Sequence, residues 1–543
     1  MPVYRYYQRG RRILSFPEAA NRAAIALGEF IPYPALPPWW RRCLTFVWLL
    51  LRLGRKPSLP APPPPNPRYL WWAGLHHPLD EATGHFLVLG GTGSGKTKII
   101  DSAVESFLAH FRPGSDQRAF IFDLKREQYS RLMNLDLTVP VVLADPFDQR
   151  GSAWDMAADV TSSAETRQCA ACLVPEGRNE SDKFWTNSTR NILAAVMENL
   201  AELNPGKWTL RDVLLVMRSR ERLAHFLEAR PETAHLWAEA TKDERTTSNL
   251  MASFNAQLSK FETVATLWAQ CPRKFSLKQW VKADSVLLVT SHPKFSAVLQ
   301  PIHQVLIELA GDLVLSEPDS RTRRTWFVLD EARELGRVRL NQLANLGRSK
   351  GVSLILGLQS VEGFYEACGG SEHLAHEILG QLRNVTCLRG NSPTTAAYVE
   401  KYFGTVEWLV EKVTHSTGYS AKGGASSNTS TDHSTVREAA LMASEIMSIA
   451  PPSERQPVVL FNDVPTIGCY VAAIPLQEFL QRLRPPHPTI PNVIEVLPKQ
   501  MRFKEWQAAD AKRLKLPSHL LRLPAPPADL LLAQLNSLQG EPS

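Results

Sequence analysis

Gly90, Gly91, Thr92, Gly93, Ser94, Gly95, Lys96 and Thr97 stand in a row as G-G-T-G-S-G-K-T. They fit G-x-x-x-x-G-K-[ST], the spacing of a phosphate-binding P-loop. Glycines let successive backbone N–H groups curl around an anion, and a following helix adds the positive end of its dipole. A strand-like run, Phe86–Leu89, precedes the loop, and a helix-like run, Ile99–Phe111, follows it. The expected ligand is ATP with Mg2+. Lys96 is placed to reach the β- and γ-phosphates and Thr97 to offer its hydroxyl to the metal.

Binding a nucleotide is not hydrolysing it, and hydrolysis calls for acids elsewhere. Residues Thr325–Glu331 read T-W-F-V-L-D-E, an apolar strand that ends in two carboxylates. Asp330 at the strand tip is the candidate Mg2+ ligand with Thr97, directly or through water. Glu331 is the candidate general base for an attacking water. Val352–Ser360 (V-S-L-I-L-G-L-Q-S) is a second buried strand, ending in Gln359, a polar tip able to contact the γ-phosphate or orient water. Between them Leu346–Gly351 (L-G-R-S-K-G) offers Arg348 as a cation for transition-state charge, a role commonly filled across a subunit boundary.

These groups need strands to carry them. Continuous apolar runs at Ala119–Asp123, Val139–Asp145, Ser285–Thr290, Thr325–Asp330, Val352–Leu358, Val385–Leu388 and Val458–Phe461 predict strands covered on both faces. Their alternation with helical stretches predicts an α/β fold with an open, mostly parallel sheet. From about Ser162 to Gln270 no strand-like run occurs. Asn191–Leu203, Leu210–Met217, Arg220–Glu228 and Leu250–Leu267 carry apolar residues at helical spacing, so this stretch predicts an all-α insertion. The expected domains are 1–68, 69–161 with the P-loop, 162–270, 271–484 and a proline-rich tail, 485–543.

With 543 residues the chain is too long for one ordinary core, and its 44% hydrophobic and 21% charged composition is that of a folded globular protein. Residues 1–70 hold eleven basic groups against Glu18 and Glu29, so this segment is +9 and the remainder −2 of the total +7. Basic excess beside the short apolar run Cys43–Leu51 and Trp39, Trp40 and Trp48 points to a cytoplasmic membrane face as strongly as to DNA. The run is too short to span a bilayer, and is either an interfacial anchor or a helix packed on the body. No cleavable signal peptide is expected. Pro57–Pro67 predicts an extended linker. Thr414–Ser434, rich in Ser, Thr and Gly, predicts a mobile loop or loose hairpin, with Lys422 a possible nucleic-acid contact. Ala528–Leu538 predicts an amphipathic helix. Seven scattered cysteines fit a reduced, cytosolic chain. The C-x-x-C of Cys169 and Cys172 reads as two buried helical thiols, since zinc needs two more ligands.

The order G-G-T-G-S-G-K-T, F-D-L-K-R-E, D-P-F, F-W, L-D-E-x-x-x-L-G, G-R-S-K-G and G-L-Q-S resembles the type IV secretion coupling proteins. These are the TraD/TraG class of conjugation ATPases among the HerA/FtsK-like motors. The resemblance covers roughly residues 80–480. It takes in Asp123, Lys125, Asp145, Pro146, Phe184, Trp185, Leu329, Leu335, Gly336 and Ser360 besides the site residues. It implies a RecA-like P-loop domain interrupted by the all-α insertion. It also implies a homohexamer with ATP sites between subunits and a channel for DNA or protein. A relaxase–DNA complex or secreted effectors would be delivered to a type IV secretion channel at the cytoplasmic face of the bacterial inner membrane. By position, Lys96 and Thr97 become nucleotide and Mg2+ ligands, Asp330 and Glu331 the hydrolytic acids, Gln359 the sensor and Arg348 the trans-acting finger. The family usually carries two N-terminal transmembrane helices, which Cys43–Leu51 does not supply, so peripheral docking through residues 1–56 is expected. Two other readings stand beside this one. One is a soluble hexameric DNA translocase in genome processing or defence. The other is a nucleotide-switched adaptor, which would not need the Asp330–Glu331 pair.

Overall fold

The computed structural model describes residues 3–27, 69–177, 180–336, 338–419 and 425–521. The features expected at Cys43–Leu51, Pro57–Pro67, Lys422 and Ala528–Leu538 lie outside the described residues. The chain divides into two compact units. One comprises Met1–Val141, Lys282–Thr290 and Gly311–Asn492, the other Val142–Val281, Ser291–Ala310 and Val493–Ser543.

The first unit is built on a sheet. Its strands run in the order Gly468–Ile474, Val458–Val464, Asn384–Cys387, Phe86–Leu89, Val352–Leu358, Arg324–Asp330, Gln117–Asp123, Ser285–Thr290. The six from Asn384–Cys387 to Ser285–Thr290 are parallel, and the first two form an antiparallel hairpin at the edge. Each residue of Phe86–Leu89 and Val352–Leu358 is buried, as strands covered on both faces must be. The helix after the P-loop, Lys96–Leu108, buries Ile99, Ile100, Ala103, Val104, Phe107 and Leu108 at helical spacing. Phe107 stacks flat on Trp326 of the acid-tipped strand at 4.0 Å between ring centroids, and Trp72 lies 4.7 Å from Phe86. The first pair fastens the P-loop helix to the acid-tipped strand, and the second packs Tyr69–Trp72 against the start of the strand that leads into the loop.

A second, three-stranded sheet joins Val3–Gly10 to the hairpin Thr405–Tyr419/Ala425–Ala439. Within the expected loop or loose hairpin at 414–434, the described residues Thr414–Tyr419 and Ala425–Ser434 are therefore the outer part of a regular antiparallel ladder of fifteen pairs. Its inner end carries the apolar signal: Val406 and Val410 are buried, and Val3–Gly10 pairs alongside them. The polar outer strands continue the register set there.

The second unit is mainly helical. Glu180–Leu203, Leu210–Met217, Arg220–Glu228, Pro231–Ala240, Glu244–Leu258 and Glu262–Gln270 follow one another, with Ala153–Trp154 and Lys274–Phe275 as a short parallel pair. The apolar run Leu250–Leu267 is two helices, not one. A 3-10 turn at Ser259–Phe261 breaks it, and Leu258, Phe261 and Val264 are all buried on either side of that break. Asp212, fully buried, caps Leu210–Met217 by accepting from the Thr209 N–H at 2.8 Å. It also accepts from Trp506 Nε1 at 2.8 Å and from both terminal nitrogens of Arg513. One carboxylate thus fastens the late chain segment to this unit. Cys169 is buried and Cys172 partly exposed on the helix Ser163–Leu173. Among the described residues one helix, Pro293–Leu315, is long and apolar enough to cross a membrane, and 61% of its apolar window is buried in the protein.

Candidate nucleotide site

The site forms where parallel strands end. Gly90 N–H donates to Leu358 O at 3.0 Å and Gly91 N–H to Arg389 O at 2.9 Å, so two neighbouring strand ends hold the start of the loop. The loop then turns through Gly95 at φ +100°, a backbone region open to glycine, straight into the helix at Lys96. Ser94 is buried, and its Oγ has no hydrogen-bond partner in the protein.

Lys96 is buried, with 6% of its side chain exposed, and it meets both acids. Its Nζ donates to Asp330 Oδ1 and, at 2.8 Å, to Glu331 Oε1. Thr97 Oγ1 donates to the other oxygen of Asp330 at 3.0 Å. Gln359 Nε2 donates to Glu331 Oε1 at 2.7 Å, and its Oε1 lies 3.4 Å from Thr92 Oγ1. Lys96, Thr97, Asp330, Glu331 and Gln359 therefore converge, though 233 residues separate Thr97 from Asp330 in the chain. One ammonium balances part of the charge of two carboxylates that would otherwise repel at the strand tips.

Two backbone features place the acids. Glu331 sits in the left-handed region at φ +73° and ψ 56°, a conformation that costs a non-glycine residue about 1–3 kcal/mol. Its N–H bonds Gly357 O at 3.2 Å, which turns its side chain back over the sheet edge. Gly357 must lack a side chain: a Cβ there would lie 2.6 Å from Asp330 Oδ1 and 2.9 Å from Ile100 Cδ1.

Asp123 ends the next strand over. Its carboxylate accepts from Lys125 N–H at 3.1 Å and Gln128 N–H at 2.8 Å, so it shapes the loop that follows. Burial pushes its pKa up to about 6 against those two bonds. Sequence reasoning missed Asp101 and its partners. Asp101 is a fully buried acid on the P-loop helix, four residues after Thr97, bonded to Gln128 Nε2 at 2.6 Å and to Arg131. An inward acid among Ile99, Ile100 and Ala103 was the available signal. A cleft lined by Thr97, Asp101, Asp123, Gln128, Asp330 and Glu331 joins these groups.

Arg348 is not part of this cluster. It is exposed on the turn Gly347–Lys350, ahead of the strand whose far end bears Gln359. Seven strand residues at about 3.3 Å each put roughly 23 Å between them. Asp145 is buried and bonds its own Phe147 N–H at 2.8 Å, while Phe184 is exposed with its ring 5.1 Å from Trp185; all lie in the helical unit.

A mostly parallel sheet, a P-loop between strand and helix and acids on the next strand but one define a RecA-like P-loop fold. The particular family follows from residues 70–470, which match the type IV secretion-system coupling protein DNA-binding domain. The chain belongs to that family. It is 24% identical over 405 residues to coupling protein TraD of Escherichia coli (strain K12), covering 72% of this chain and 51% of that protein. The chain thus spans about half the length of this curated relative. Its fold is similar to that of the bacterial conjugative coupling protein TrwBdeltaN70 in an unbound monoclinic form, with a TM-score of 0.64 at 19% identity over 91% of this chain and 98% of that one. It is also similar to plasmid coupling protein TrwB in complex with ADP and Mg2+, with a TM-score of 0.63 at 19% identity over 91% and 99% of the two chains.

Proposed function

We propose that this chain is an ATP-hydrolysing coupling protein that drives DNA, a relaxase–DNA complex or an effector into a type IV secretion channel. The observation that carries this reading is the joining of Lys96 and Thr97 to Asp330 and Glu331, with Gln359 on the second acid. The donor set fits Mg2+ with a nucleotide. Thr97 and Asp330 offer hard oxygens 3.0 Å apart, and the buried, unpartnered Ser94 hydroxyl faces the loop interior. Gly90–Thr97 would cradle the phosphates, and Thr97 and Asp330 would hold the metal. Bound Mg2+ supplies charge neutralisation on the phosphates. Lys96 carries the protein's own positive charge to them, and an incoming phosphate competes with both carboxylates for it. Glu331, held by Gln359, takes the proton of the attacking water, and Gln359 keeps that carboxylate aimed.

Arg348 lies about 23 Å from Gln359 along its strand, so in this reading it serves the site of a neighbouring copy in a ring, a hexamer by family resemblance. The protein acts at the inner-membrane face, with residues 1–56 as the docking segment. DNA or a protein substrate passes with the relaxase or effector as cargo.

The test is ATP turnover and nucleotide binding with Lys96→Ala and Glu331→Gln, with and without DNA. Turnover is lost in both, and Glu331→Gln keeps its affinity for ATP. Unchanged hydrolysis in the two variants overturns the assignment. Recovery of the full-length protein in the soluble fraction, with and without a secretion complex, overturns the membrane part alone.

A further inference from the structure

The segment Arg484–Asn492 (R-P-P-H-P-T-I-P-N) has no regular secondary structure, yet it is bonded throughout. Arg484 N–H donates to Glu105 Oε2 at 2.9 Å. Asn134 Nδ2 donates to Pro485 O at 3.0 Å. His487 N–H donates to Ser130 O at 3.1 Å. Ser130 Oγ reaches Ile490 O at 2.5 Å and His487 O at 3.4 Å, and Ser130 N–H donates to Asn492 Oδ1 at 3.0 Å. Four prolines carry no N–H and stiffen the backbone, so the strap is laid down by these few contacts.

What it is laid on matters more. Thr97, Asp101 and Glu105 occupy positions i, i+4 and i+8 of the P-loop helix and make one polar stripe. Thr97 touches Asp330 in the nucleotide site. Asp101 is paired with Arg131 and bonded to Gln128, whose own N–H is held by Asp123 at the sheet edge. Glu105 stands 3.9 Å from Arg131 Nε and accepts the strap's first N–H. Ser130, which grips the strap's other end, lies on the short helix Gln128–Met133 with Gln128 and Arg131. Directly after Asn492 the chain enters the helical unit, where Trp506 and Arg513 are fastened to Asp212.

We propose that the strap Arg484–Asn492 reads the nucleotide state of the P-loop helix and passes it along the chain into the helical unit. The proposal rests on the nucleotide reading above. A cation that takes an oxygen of Asp330 competes with the Thr97 bond at the head of the stripe. Asp101 and Glu105 follow on the same rigid helix. Because buried carboxylates and their cation cannot give up partners singly without a large desolvation cost, the stripe shifts as a unit. Ser130 and Glu105 are positioning residues in this scheme and touch no substrate.

The test is hydrogen exchange at the amides of Ser130, Arg484 and His487 in the full chain. It is run with and without a non-hydrolysable ATP analogue and Mg2+, with binding of the analogue measured separately. Exchange at these amides changes by about tenfold on binding, the scale of ordinary coupling between sites. Ser130→Ala, or Asn492→Ala should the first variant misfold, removes the change while affinity for the analogue stays within about twofold. Identical exchange in the wild type with the analogue bound overturns the proposal and leaves the nucleotide site standing. Failure of the wild type to bind the analogue overturns both.

Discussion

The two ends of the parallel strands are built on opposite principles. At their C-terminal tips Lys96, Thr97, Asp330, Glu331 and Gln359 are bonded to one another, and an unusual backbone conformation at Glu331 is retained. At their N-terminal ends a buried histidine does structural work, and Arg348 and Arg383 are exposed. His85 Nδ1 accepts from Leu354 N–H at 3.1 Å, and its Nε2 bonds Ala344 O at 3.1 Å. Burial lowers its pKa to about 4, with the Arg348 and Arg383 charges pushing the same way, so the ring is a neutral pin between a strand and the helix Leu340–Leu346. Charges that face each other at one end can be rearranged by a ligand. The other end is pinned by that ring, and Arg348 there is exposed.

The largest effects that separate the two ends are on turnover. Lys96→Ala and Glu331→Gln are expected to lower ATP hydrolysis by about 10³-fold or more, read in a coupled phosphate-release assay, with thermal stability little changed in Glu331→Gln, where Lys96 keeps Asp330. Arg348→Ala, at the far end, is expected to lower turnover by about 10³-fold only where the chain is assembled, and to leave nucleotide binding by dilute protein as it was. A loss that persists in mixtures where wild-type neighbours supply the arginine would place Arg348 inside its own site and erase the contrast.

Stability shows the reverse pattern. His85→Ala leaves Leu354 N–H and Ala344 O buried without their partner, at a cost of about 3 kcal/mol by urea denaturation. A loss under about 0.5 kcal/mol would mean the pin carries nothing. The smallest effect is one of pH. Burial pushes the Glu105 pKa from 4.5 up to about 7 against the bond from Arg484 and the charge of Arg131. Between those values the folded protein keeps a proton that the unfolded chain has lost. The stability from this group is therefore full below pH 4.5 and declines as pH rises through 7. Glu105→Gln is expected to flatten that part of the melting-temperature profile by a few degrees. An unchanged slope would assign the dependence to Asp123 instead.

Much of this was written in the residues in order. Val352–Leu358 and Ser285–Thr290 are strands at the bounds their apolar runs predict, because a strand buried on both faces must be apolar throughout. The P-loop motif and the acid pair at a strand tip were equally plain, since each is a set of particular side chains at fixed spacing. The outer hairpin strands were not legible. Thr414–Tyr419 and Ala425–Ser434 have no apolar alternation, and their conformation comes from pairing with each other beyond a buried inner end. The Thr97–Asp101–Glu105 stripe was hidden too, for an acid within an apolar helix reveals its meaning only through Arg131 and Gln128.

By itself the sequence determined an α/β fold and the run of glycines, the lysine and the two acids it carries, because local chemistry dictates each. Only the tertiary structure decided which groups meet. It set Gln359 on Glu331 and kept Arg348 a strand's length away. It also tied Arg484 to Glu105 of the helix that leaves the P-loop and laid the prolines that follow against the short helix Gln128–Met133. Contacts between residues hundreds of positions apart follow from strand order and packing, and no run of neighbouring residues records them.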